Sequence, residues 1–227
     1  MKKIINIAHR GFTRQFPDNT LESFRAALDL GVDGVEFDVQ ETADGAFFIF
    51  HDDDIGGVPI SGMAARQMQE VRLQGGCQVP TLEQALQLLG HGPILVVELK
   101  QVRSLDSFLQ ILRAYADFSR TVVVSFDAQL ISRLAEEAPD IMRAVITNTG
   151  VKKADQITKS THSMAIGMSC KDLNREVIAR LHREQTMVFV WDCTDAASVQ
   201  RALTFDIDGL ISDVPDKVKQ EMQNSGM

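Results

Sequence analysis

The sequence predicts an α/β protein: a closed (β/α)8 TIM barrel with a short insertion after its second barrel strand. Short β-branched runs alternate with helical patterns from end to end, which calls for a parallel sheet wrapped by helices. Eight such runs are present, the number that closes a barrel. The chain of 227 residues is long enough for one barrel of ~200 to ~250 residues, so 1–227 reads as a single domain.

The first run, Ile4–Ala8, is isoleucine-rich and leads into His9-Arg10-Gly11. Asn19-Thr20-Leu21-Glu22 resembles a capping box, so a helix is expected there, stopping at Gly31. Gly34–Asp38 is the second strand. Beyond it, residues 53–79 hold Gly56-Gly57, Gly62 and Gly75-Gly76 around a short Met-bearing helix, Met63–Val71. This is the insertion, a candidate lid. Thr81-Leu82-Glu83-Gln84 opens a helix that ends at Gly90. Strands at Ile94–Glu98, Thr121–Ser125, Met142–Ile146, Met164–Met168, Met187–Trp191 and Gly209–Ser212 then follow, with helices over Leu105–Phe118, Ala128–Ala138, Asn174–Glu184 and Ala196–Thr204. The tail after Pro215 reads as a solvated terminal helix that frays.

The most informative segment is a hairpin. Asp44-Gly45 between Val35–Val39 and Ala46–Asp52 is a strong two-residue turn signal, because a primed turn needs positive φ at both central residues. Counting outward, Ala43 faces Ala46, Asp38 faces His51 and Glu36 faces Asp53. Side chains alternate with period two, so these four ionisable groups share one face, while Val35, Phe37, Phe48 and Phe50 share the other. Carboxylates crowded with an imidazole repel one another unless a cation is present, which points to a hard-metal or acid/base site.

Composition excludes several classes. A formal net charge of −8 argues against nucleic acid and anionic membranes, which are held by basic patches. Cys77, Cys170 and Cys193 have no CxxC or other metal spacing, which disfavours a disulfide framework and favours a reducing, cytoplasmic setting. No apolar run approaches the ~20 residues of a membrane span.

Functional side chains of such a barrel come from the carboxyl ends of its strands. The first strand delivers His9-Arg10-Gly11, the second Glu36-x-Asp38, and the third Glu98-Leu99-Lys100. Together with Pro17-x-Asn19-Thr20, Asp44-Gly45, His51-Asp52, Ser125-Phe126, Trp191 and Asp208 to Asp213 with Pro215, this ordered set resembles the glycerophosphodiester phosphodiesterase family. The resemblance runs from residue 9 to residue 215. It implies a barrel that hydrolyses small-molecule glycerophosphodiesters to an alcohol and glycerol 3-phosphate with one divalent cation, Mg²⁺ or Ca²⁺. By motif, Glu36, Asp38 and Glu98 correspond to the metal ligands and His9 and His51 to the acid/base pair. Arg10 and Lys100 are expected on the phosphoryl group and Trp191 in the substrate pocket. Three carboxylates suit a hard cation, and imidazole suits proton transfer near neutrality.

Departures from the family pattern fall at Asp18, where glutamate is usual, at Ile55-Gly56-Gly57-Val58, and at Asp192-Cys193-Thr194. They bear on substrate identity. Asn19 and Glu22 read as helix caps, Trp191 equally as barrel core, Cys193 as a small buried hydrophobe, and His91, His162 and His182 as surface residues. Two rivals stand beside the phosphodiesterase reading: a non-catalytic binding barrel, and a barrel phospholipase acting on a lysolipid. Met63 and Met68 are the one hint of the apolar entry surface that the phospholipase would need.

Overall fold

The computed structural model describes residues 3–147 and 154–226. In chain order its elements are β1 (Ile5–Ala8), α1 (Leu21–Leu30), β2 (Gly34–Glu41), β3 (Phe47–Ile49), β4 (Asp54–Ile55), β5 (Val58–Pro59), α2 (Ala65–Glu70), α3 (Leu82–Leu89), β6 (Ile94–Leu99) and α4 (Leu105–Tyr115). There follow β7 (Thr121–Ser125), α5 (Ala128–Glu137), β8 (Met142–Thr147), α6 (Ala154–Ser160), β9 (Ala165–Ser169), α7 (Arg175–Arg183), β10 (Met187–Cys193), α8 (Ala196–Ala202), β11 (Gly209–Ser212) and α9 (Pro215–Asn224).

The β-branched runs leave no free barrel edge. Strands β1, β2, β6, β7, β8, β9, β10 and β11 pair in parallel in that order, and β1 pairs with both β2 and β11 to close the ring. This is the expected (β/α)8 barrel. Outward-facing residues such as Phe37, Val97 and Val123 pack against the helices. Inward-facing Ile7, Val96, Val122, Ala144 and Phe189 form a separate inner core. No helix among the described residues is long and apolar enough to cross a membrane.

The hairpin corrects the expected register. Val39 lies opposite Ile49 and Gln40 opposite Phe48, one residue away from the pairing that would set Asp38 against His51. The cause is local. Thr42 pairs with Ala46, whose N–H donates to Thr42 Oγ1 at 3.0 Å, so the loop holds three residues and only Gly45, at φ 83°, is left-handed. A one-residue slip exchanges faces. Phe48 and Phe50 therefore leave the Phe37 side and pack with the insertion, and Asp53 is exposed rather than joining Glu36.

The insertion has its own small core of Phe48, Ile60, Met63, Met68 and Val79. Met68 is fully buried, so the two methionines serve that core and offer no entry surface. The tail corrects another expectation: Val218 and Met222 of α9 are buried, Asn6 Nδ2 donates to the Pro215 carbonyl at 3.0 Å, and Lys219 Nζ donates to the Leu30 carbonyl at 2.7 Å. The helix docks rather than frays. α6 is a helix the sequence pattern leaves unassigned.

Glu41, at the end of β2, is nearly fully buried. It accepts hydrogen bonds from Arg103 N at 2.5 Å, Ser104 N at 2.9 Å and Ser104 Oγ at 2.8 Å, tying β2 to the start of α4. Burial pushes its pKa up, but the Ser104 and Arg103 hydrogen bonds outweigh this and hold it below the ordinary 4.5. A depressed folded pKa gives stability that is complete above the unfolded value and lost as the pH falls through the folded one. Glu41→Gln should therefore lower the melting temperature at neutral pH, with the difference from wild type shrinking as the pH drops below 4.5. Thermal melts across that range check this.

Candidate active site

Period-two alternation on β2 points Glu36 and Asp38 into the barrel, and Asp38 lies beside Glu98 of β6 in register. One oxygen from each of Glu36, Asp38 and Glu98 lies within 4.8 Å of the others. The three residues are 3, 0 and 8% exposed. Glu36 Oε1 and Asp38 Oδ1 are buried without a hydrogen-bond partner. Burial, then the neighbouring Asp38 charge, pushes Glu36 up to about 8, and the same two causes raise Glu98. Buried hard oxygens short of partners, on carboxyls that resist ionisation, are the environment a divalent cation relieves. The residues present fit such an ion.

Two cations flank the cluster. Arg10 Nε lies 3.2 Å from Asp38 Oδ2. Lys100 Nζ lies 2.9 Å from Glu98 Oε1 and 3.8 Å from Asp38 Oδ1. Arg10 sits in a left-handed turn at φ 55°, followed by Gly11 at φ 84°. A Cβ at Gly11 would fall 2.4 Å from Ser23 Oγ and 2.7 Å from the Ser23 backbone, so only glycine lets this turn approach α1. The turn aims the Arg10 N–H at Glu36 Oε2, 2.9 Å away.

The histidines stand on two sides of the acids. His9 Nδ1 lies 2.6 Å from Asp213 Oδ1, and its Nε2 is 3.9 Å from Glu36 Oε2. Burial lowers the His9 pKa, but the Asp213 hydrogen bond and the Glu36 charge more than compensate and raise it. His51 Nδ1 lies 2.7 Å from Asp52 Oδ1. Its loop is held from β2, where Gln40 Nε2 donates to the Asp52 carbonyl at 2.9 Å.

All eight side chains expected at the site from sequence converge. A cavity of about 210 Å³ is lined by His9, Arg10, Glu36, His51, Glu98 and Lys100 on its charged side, and Trp191 borders it as well. Asp38 lies behind these and touches both cations. Trp191 packs against the inner core and meets Phe126 edge to face at 5.8 Å on the cavity wall, so it belongs to both the barrel interior and the cavity. His51 arrives through the loop after β3 and not as the strand partner of Asp38.

Three further residues position the site. Asn19, read above as a cap, donates from Nδ2 to Asp38 Oδ2 at 2.8 Å and accepts from Asp38 N at 3.2 Å. The cap itself is Thr20, paired with Ser23 rather than with Glu22. Gln40 and Asp213 hold the two histidines' surroundings. Asp213 stands in a recognisable motif, but only the closing of β11 against β1 shows which histidine it serves. His182 is not a free surface residue: its Nε2 lies 2.9 Å from Asp208 Oδ2 and its Nδ1 3.4 Å from Asp206 Oδ2.

Similarity to known proteins agrees with this geometry. A glycerophosphodiester phosphodiesterase of Bacillus altitudinis is 25% identical over 240 residues, covering 95% of this chain and 98% of that protein. The crystal structure of a glycerophosphodiester phosphodiesterase from Parabacteroides distasonis superposes with a TM-score of 0.88 at 21% identity, covering 100% of each chain. An Oleispira antarctica phosphodiesterase, solved with the product sn-glycerol-3-phosphate, superposes with a TM-score of 0.86 at 19% identity, covering 98% of this chain and 97% of that one. The profile of the glycerophosphoryl diester phosphodiesterase family matches residues 9–217, the span that holds every residue of the site. The chain therefore belongs to that family.

Proposed function

We propose that this enzyme hydrolyses glycerophosphodiesters to an alcohol and glycerol 3-phosphate, using one divalent cation, Mg²⁺ or Ca²⁺, held by Glu36, Asp38 and Glu98. The observation that carries this is the buried carboxylate cluster with two unpartnered oxygens, set between two carboxylate-bound histidines. The glycerol 3-phosphate in the Oleispira antarctica phosphodiesterase supports the product. A cytoplasmic setting fits three cysteines that are all free.

When bound, the cation would polarise the phosphoryl oxygens. The remaining work falls to the protein. Arg10 and Lys100 neutralise the phosphoryl charge, the arginine fork gripping two oxygens. A carboxylate on Nδ1 fixes each imidazole and leaves Nε2 to exchange a proton with substrate. None of the described cavity-lining residues is a serine, threonine or cysteine. We infer that the nucleophile is the substrate's own adjacent glycerol hydroxyl, oriented for in-line attack. One histidine removes its proton as the phosphorus–alkoxide bond breaks, the other protonates the departing alcohol, and water then opens the cyclic phosphate. A deoxy substrate lacking that hydroxyl should bind but not turn over. Hydrolysis at the natural rate would make water the nucleophile.

The function itself is tested by incubating the protein with glycerophosphocholine and glycerophosphoethanolamine, with and without chelator, and measuring glycerol 3-phosphate. Release that depends on the cation is expected. No release from either diester under any metal condition would overturn the reading.

A further inference from the structure

The two halves of the cavity differ in chemistry. Every ionisable group on its wall except Asp192 comes from β2, from β6, from the turns that follow β1 and β6, or from the His51 loop. The opposite wall, from β7 to β11, presents Val122, Val124, Ala144, Ile146, Phe189 and Ile211. Asp192 stands at the rim, where Lys171 pairs with it at 3.7 Å. Val96, Ala144 and Phe189 lie two residues before Glu98, Ile146 and Trp191 on their own strands, hence one side-chain layer deeper. The cavity therefore descends past the carboxylates into the apolar interior, where barrels of this type are ordinarily filled by bulky branched side chains.

Gly167, on β9, is what leaves the room. Its φ lies outside the left-handed region. A Cβ there would stand 3.4 Å from Ile146 and 3.5 Å from Trp191, an ordinary contact distance. Neither backbone nor crowding demands glycine here, and the missing side chain opens space beside the indole. An apolar void costs stability unless something fills it. A cavity near 150 Å³ with apolar walls accepts a molecule of benzene size. The cavity here, at about 210 Å³, exceeds that size and has a charged end beside its apolar one.

We infer that the apolar half of this cavity is a subsite for a short hydrocarbon arm of the diester, an alkyl or aryl group of about six carbons, with Gly167 and Ala144 setting its depth. The inference rests on the phosphodiesterase reading and narrows its substrate class. The arm could belong to the leaving alcohol or be a short acyl chain on the glycerol. The shared chemistry is a hydrocarbon segment beside the phosphate.

The test uses the full chain with Mg²⁺ or Ca²⁺ and two substrate series. One varies the alcohol, from glycerophosphoethanol through glycerophosphobutanol to glycerophosphohexanol. The other keeps ethanolamine as leaving group and lengthens an acyl chain on the glycerol from acetyl to hexanoyl. Burial of each methylene should raise kcat/KM roughly fourfold in the series that enters the subsite. Trp191 is the only tryptophan of the chain and gives a readout independent of turnover: hexyl phosphate should shift its fluorescence saturably, at far lower concentration than ethyl phosphate. Gly167→Leu should bring the ratio of longest to shortest substrate towards one, and the milder Gly167→Ala should lower it part of the way, so the prediction stands testable even if the leucine variant fails to fold. A flat dependence in both series, or an intact ratio in Gly167→Ala and Gly167→Leu, would overturn the subsite. If hexyl phosphate binds selectively but no diester of either series is hydrolysed, the phosphodiesterase reading fails and the pocket stands.

Discussion

His9→Ala and His51→Ala should each lower kcat by ~10² to ~10⁴, the range for losing a positioned acid or base, while the fold and the response to divalent cation persist. Each imidazole has its Nδ1 on a carboxylate, at 2.6 Å for His9 and 2.7 Å for His51, and each borders the cavity. Because the two imidazoles act as one unit, each useless to the displacement without the other, the double variant should lose little more than the worse single variant. Asp213→Asn should produce a smaller loss with an altered pH profile, since it changes the His9 tautomer without removing the ring. Steady-state kinetics on all four proteins, with melting curves to verify folding, check this. A single variant with near wild-type kcat would remove that histidine from the chemistry.

The second large effect concerns the carboxylates and separates function from stability. Asp38→Asn and Glu36→Gln should abolish turnover at any attainable Mg²⁺ or Ca²⁺ concentration. Yet Glu36→Gln should raise the melting temperature of the chelated protein, because glutamine is neutral in both the folded and unfolded chain, whereas desolvation and the Asp38 carboxylate force Glu36, ionised when unfolded, up to about 8 on folding. Wild type should behave in the opposite way, gaining stability on adding the cation. Linkage predicts about 2.7 kcal/mol at a hundred times Kd. The Glu36→Gln protein should not respond. Differential scanning calorimetry with and without EDTA decides both halves. A variant less stable than wild type in EDTA would show that Glu36 is held by its hydrogen bond from Arg10 N and not strained by its neighbours.

Most of the barrel is legible in sequence because most strands are rich in β-branched residues and α1, α3, α5, α7 and α8 open on a side-chain cap. Strand ends drift by one to three residues, but the residues that matter keep their places: His9 after β1, Glu36 and Asp38 two apart on β2, Glu98 facing Asp38 across a register that parallel pairing dictates. The hairpin is different. Asp44-Gly45 signals a turn correctly, but whether two or three residues form it depends on the Thr42 side chain, and a single residue decides which face Phe48 occupies. The carboxylate cluster forms whichever way the hairpin pairs, since it needs only β2 and β6. Asn19 and Glu41 were hidden for another reason. Both bind groups distant in sequence, Asp38 for one and the Arg103–Ser104 backbone for the other, and no local pattern announces such a partner. The docking of α9 likewise rests on Val218 and Met222, two apolar positions that look sparse among charged neighbours until β1 and β11 are beside them.

The most direct measurement is metal titration of chelated protein, followed by glycerol 3-phosphate release from a glycerophosphodiester and run in parallel on wild type and Asp38→Asn. If Glu36, Asp38 and Glu98 together hold one working cation, activity should be absent in EDTA and return along a single saturable curve with Mg²⁺ or Ca²⁺ in wild type. Asp38→Asn should stay inactive throughout. Full activity of wild type in excess chelator, or recovery of Asp38→Asn along the wild-type curve, would contradict it.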